Sequence, residues 1–102
     1  MNPNPILVVD KKGIIGEAIC QELVSRSLVI YVSQKQPALG EVEFVMFGRE
    51  APVIPNYIYS HIIVIDDGYT PESHLDEFAK KAEKDRASLV FITHLDLSLI
   101  HI

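Results

Sequence analysis

Ile6-Leu7-Val8-Val9-Asp10 runs straight into Lys11-Lys12-Gly13-Ile14-Ile15-Gly16, and Ile15, Ile19 and Leu23 then follow at four-residue steps. An apolar, β-branched run, a polar break with a glycine, and a helical spacing read as strand, tight turn and helix. A unit of this kind opens an open α/β sheet. The strand is apolar throughout rather than alternating, as expected when both faces of a parallel sheet are covered.

The rest of the chain continues the pattern. Pro5 to Val9 is the first expected strand and Gly13 to about Ser25 the first helix. Leu28 to Val32 is a second strand, ending in Ser33-Gln34-Lys35. A turn over Pro37 to Gly40 leads to a third strand, Glu41 to Phe47. Gly48 to Asn56 carries glycine and prolines that forbid a regular helix. Ile58 to Ile65 is the fourth strand, closed by Asp66-Asp67-Gly68. Thr70-Pro71-Glu72-Ser73 is a helix start, because proline fits a first turn and a hydroxyl can cap free amides. Leu75, Phe78, Ala79 and Ala82 then mark one apolar helix face, with Lys80, Lys81, Glu83, Lys84 and Asp85 as its solvated remainder. Leu89 to Thr93 is a fifth strand. Strands joined through helices cross over and lie parallel, so the expected fold is α/β, an open parallel sheet of about five strands in the order 3-2-1-4-5.

At 102 residues, 48% of them apolar, the chain is one domain with ample core. A net charge of −5 argues against nucleic acid and against an anionic membrane surface. No run approaches the roughly 20 apolar residues of a membrane span, and Met1 to Pro5 has no basic region of a signal peptide. The single cysteine, Cys20, cannot staple the fold and is expected to pack in the first helix. The expected compartment is the cytoplasm. His61 and His74 stand alone, without metal-ligand spacing, so no metal is expected. Leu97-Ser98-Leu99-Ile100-His101-Ile102 follows a complete strand with no turn chemistry. It is also the translation of CTG TCT CTT ATA CAC ATC, which resembles a transposon-end adapter of sequencing libraries. Residues 1–96 are therefore expected to be a domain cut short near Asp96, and 97–102 an artefact. A natural short terminal strand is the alternative.

With strand, Gly-x-x-Gly turn and helix in place, the chain resembles the nucleotide-binding, Rossmann-like half of the extended short-chain dehydrogenases, the NAD-dependent sugar epimerases and dehydratases. Ile6 to Val9, Gly13-Ile14-Ile15-Gly16, Ala18 to Leu23 and Leu89 to His94 carry the likeness, which spans most of residues 5–96. The resemblance implies a pyrophosphate at Gly13, Ile14, Ile15 and Gly16, with Lys11 and Lys12 as phosphate partners. It implies a ribose at the end of the second strand. Ser33 and Lys35 there suit a 2′-phosphate, so NADP is slightly preferred to NAD. Arg49 is a candidate for stacking on the adenine. Two departures stand out. Asp10 occupies the place of the family's first glycine, and Asp66 and Asp67 replace small neutral residues.

Catalysis in that family needs a Ser or Thr, for which Thr93 and His94 are the weak candidates, and a helical Tyr-x-x-x-Lys. Tyr31 and Lys35 have the spacing but belong to a strand, where four residues span roughly 13 Å. The chain as it stands is thus expected to be the N-terminal part of an NAD(P)-binding epimerase- or dehydratase-like protein. Two other readings remain open: a nonenzymatic Rossmann-like scaffold with a decayed nucleotide site, and a receiver-type signalling domain with Asp66 as phospho-acceptor and Thr93 as switch.

Overall fold

The computed structural model describes residues 4–13, 15–47, 54–66 and 72–93. The elements run β1 (Ile6–Asp10), α1 (Gly16–Leu23), β2 (Val29–Ser33), β3 (Glu43–Met46), β4 (His61–Asp66), α2 (Glu72–Asp85) and β5 (Ser88–Thr93). All five strands pair in parallel, in the order β3-β2-β1-β4-β5. This is the expected Rossmann-like topology. A receiver domain uses the order 2-1-3-4-5, so the sheet runs counter to that reading.

The register brings the strand ends into line. Val9 pairs with Val32, Asp10 with Ile65, Ser33 with Met46, and Asp66 with Thr93. The carboxyl ends therefore share one edge, with the reversal of strand order between β1 and β4, where open α/β sheets place their ligands.

β1 and β2 are buried along their whole length. Alternate residues feed two cores. Leu7, Val9, Ile30, Val32, Ile62 and Val64 meet Phe78 and Ala82 of α2. Ile6, Val8, Val29 and Tyr31 meet Cys20, with Ile15 and, from α1, Ile19 and Leu23 packed against them. Each large apolar side chain buried in this way contributes roughly 1.5–3 kcal/mol.

Several element boundaries differ from the sequence reading, each for a local reason. β3 is shorter than Glu41 to Phe47, since Phe47 leaves the strand to join the α2-side core. β4 starts at His61 and not at Ile58. The preceding residues are held elsewhere: the Tyr59 amide donates to the Asp85 carboxylate at 3.0 Å, and the Tyr59 hydroxyl donates to the Pro55 carbonyl at 2.6 Å. Tyr59 thereby joins the α2-side core, with Ile54 and Tyr57 packed against it. α2 ends with Arg86 at φ 57, and the Ala87 amide donates to the Ala82 carbonyl at 2.8 Å. That is the backbone pattern of a Schellman cap, made here without glycine.

Candidate functional site

The first helix begins at Gly16, three residues later than the expected Gly13. The cause is Asp10. Its Oδ2 accepts the Ile15 amide at 2.9 Å and the Gly16 amide at 2.7 Å. The residue is 1% exposed. Gly13 makes the bend possible at φ +74, a backbone region costly to any residue with a Cβ. Its amide returns to the Asp10 carbonyl at 3.2 Å.

The opening amides of a helix lack partners within the helix and carry its positive dipole end. They are the groups that hold phosphate in dinucleotide sites. Here a charged oxygen of the chain already holds two of them, and charge-assisted bonds of this length are the stronger kind. Glu17, in the first turn of α1, adds a second carboxylate, which accepts the Ala38 amide at 3.0 Å. A pyrophosphate on these amides would face Asp10. At about 4 Å the repulsion per unit charge is ~1 kcal/mol in water and ~4 kcal/mol at an effective dielectric near 20. The residues present do not fit a pyrophosphate bound in the manner the resemblance implies.

The floor beneath the turn is Tyr31. A Cβ on Gly16 would lie 2.7 Å from Asp10 Cβ, 2.7 Å from Tyr31 Cε1 and 2.8 Å from the Tyr31 hydroxyl oxygen. Helix, aspartate and tyrosine are thus locked together by the missing side chain. The Tyr31 hydroxyl is buried with no hydrogen-bond partner among the described residues. Burial pushes its phenol up to about 12, with Ser33 pulling the other way. Burial likewise pushes the Cys20 thiol up to about 12, with Glu17 and Asp10 adding to it. Such a thiol stays protonated and inert at neutral pH, in keeping with a packing role.

The candidate cofactor residues divide. Gly13, Ile15 and Gly16 form the turn, while Ile14 and Arg49 lie outside the described residues. Ser33 is fully buried, and its Oγ accepts the Lys35 amide at 3.1 Å. It stands beside Gly13: a Cβ there would lie 3.1 Å from Ser33 Oγ and 2.9 Å from Lys35 Cβ. Lys35 itself is exposed. The structure therefore brings Gly13, Ser33 and Lys35 together. Lys11 goes elsewhere. Its ammonium lies 6.0 Å from the centroid of Phe47, a residue of the α2-side core. Lys12 is exposed. Of the catalytic candidates, Thr93 ends β5 next to Asp66, and His94 lies outside the described residues, as do Asp67 and the 97–102 tail.

Sequence reasoning ended the first strand at Val9 and read Asp10 only as a missing glycine, whereas Asp10 is the last residue of β1. It did not find Tyr31 as the floor of the turn. A bulky aromatic in the middle of a buried strand, opposite a glycine-started helix, was the available signal.

Among the described residues no helix is long and apolar enough to cross a membrane. No family pattern, curated protein or solved structure matches this chain.

Proposed function

We propose that this chain is a nonenzymatic Rossmann-like scaffold domain, with its own aspartate standing where a nucleotide phosphate would stand. The observation that carries the reading is the pair of bonds from the Ile15 and Gly16 amides to Asp10 Oδ2. Three further features support it. Tyr31 fills the space below Gly16, Glu17 adds negative charge at the same helix end, and Lys11 is turned toward Phe47. A domain of this kind contributes surface and rigidity rather than chemistry. Its setting would be the cytoplasm, whose reducing conditions keep a free thiol such as Cys20 reduced.

A second reading has its own observation. Ser33 and Lys35 flank Gly13 at the end of β2, where the resemblance puts a ribose 2′-phosphate. The chain would then be the N-terminal part of an epimerase- or dehydratase-like protein. It would hold NADP in preference to NAD, and the carboxylate of Asp10 would have to leave the amides first.

Thermal melting with NAD and with NADP at millimolar concentration separates the two. A ligand that binds only the folded chain stabilises it, by about 2.7 kcal/mol at one hundred times its dissociation constant. The scaffold reading expects no shift for the native chain. It expects a shift to appear in Asp10→Gly, where the amides are released. A shift of several degrees with NADP in the native chain would establish the second reading instead.

A further inference from the structure

A hollow of about 300 Å³ lies between the second half of α2 and the segment that leads into β4, lined by Ile54, Asn56, Glu77, Lys80, Lys81 and Lys84. It is separate from the turn after β1. α2 returns the chain from the carboxyl end of β4 to the amino end of β5, so its last turns face the opposite edge of the sheet. The chain has nine lysines and arginines and a net charge of −5. Three of the nine stand around this one hollow.

The wall is fixed in advance. The Lys81 ammonium lies 3.0 Å from Asp85 Oδ2 and 5.6 Å from the Tyr59 ring centroid. Asp85 is itself tied down by the Tyr59 amide at 3.0 Å. Lys80 and Lys84 are exposed, and neither forms an ion pair among the described residues. They are four residues apart on one helix, a spacing at which like charges repel. An anion between them relieves that repulsion. The Asn56 amide adds a polar group and Ile54 an apolar wall. The volume is at the small end of ligand sites.

We propose that this hollow binds a small phosphate monoester, with the phosphate between Lys80, Lys81 and Lys84 and the ester body against Ile54 and Asn56. Lysines recognise phosphate as compact point charges; Lys80 and Lys84 supply the open charges, while Lys81 is shared with Asp85 and Glu77 on the same wall carries the opposite sign. The apolar wall separates an ester from free phosphate.

The test is an amide NMR titration of the whole chain with phenyl phosphate, with inorganic phosphate and sodium chloride at matched ionic strength as comparisons. Saturable shifts at Asn56, Lys80 and Lys84 are expected with phenyl phosphate, and weaker ones with inorganic phosphate. Lys80→Ala combined with Lys84→Ala should weaken phenyl phosphate binding at least tenfold. Both positions are exposed on the helix, so the variant keeps its fold, which an unchanged spectrum elsewhere checks. Shifts that are absent, reproduced by chloride, or retained in the double variant would overturn the proposal. So would inorganic phosphate binding as tightly as the ester.

Discussion

The Asp10 carboxylate and the Gly16 amide, six positions apart in sequence, meet at 2.7 Å in the interior of the domain. The contact joins the end of β1 to the start of α1. It gives the helix a built-in counter-charge at its positive end. The start of α1 and the occupancy of its opening amides therefore come from one side chain.

Removing that side chain should cost stability in two steps. Asp10→Asn keeps an oxygen acceptor but loses the charge. It should destabilise the domain by about 1 kcal/mol. Asp10→Ala leaves two amides without a partner and should cost about 2 kcal/mol or more. Urea unfolding followed by circular dichroism measures both. Equal stability of all three proteins would remove the cap from the explanation of α1.

Gly16 is required by space, not by a left-handed backbone. A methyl group there runs into Asp10 and Tyr31 at 2.7 Å. Gly16→Ala should therefore destabilise by roughly 1–3 kcal/mol, the usual cost of overpacking. Gly16→Ala in a Tyr31→Ala background should recover part of the loss. Additive effects of the two changes would mean that Tyr31 is not what the methyl group strikes.

Tyr31→Phe removes a buried hydroxyl with no partner among the described residues. Leaving such a group unpaired costs about 1–3 kcal/mol, so the variant should be as stable as the native chain or more stable. The pH profile gives a second readout. The folded chain raises the Tyr31 phenol from 10.0 and the Cys20 thiol from 9.0, both to about 12. Each group then binds its proton more tightly when folded. The associated stability is complete below pH 9 for Cys20 and below pH 10 for Tyr31, and is lost as pH rises through 12. Alkaline titration of unfolding should show this decline, shallower in Tyr31→Phe.

Arg86 closes α2 at φ 57, where glycine is at ease and arginine is strained. Arg86→Gly should raise stability by up to ~1 kcal/mol, read from the midpoint of urea unfolding. A loss of stability would show that the arginine side chain makes contacts worth more than the strain.

The sequence carried the sheet well, because Ile6 to Val9 and Ile62 to Ile65 are apolar without alternation and a glycine turn follows β1. Parallel pairing and strand order follow from such a pattern with few alternatives. What could not be read were contacts set by distance in space. Asp10 looks like a substitution beside a phosphate site until its oxygen is seen on the Gly16 amide. Tyr59 looks like part of a long strand until Asp85, twenty-six residues on, takes its amide. The Lys80, Lys81 and Lys84 run looks like an ordinary wet helix face, since nothing local tells that residues 54–56 lie opposite it. The cap after Asp85 was hidden too, because the left-handed residue is arginine.

The occupancy of the α1 amides by Asp10 is open to direct measurement. Amide NMR of the native chain, titrated with NADP at millimolar concentration, reports on Ile15 and Gly16 individually. Both resonances are expected to stay where they are, and both are expected to move in Asp10→Asn without any nucleotide. Saturable movement of the Ile15 and Gly16 amides with NADP in the native chain would contradict a helix end already filled by its own carboxylate.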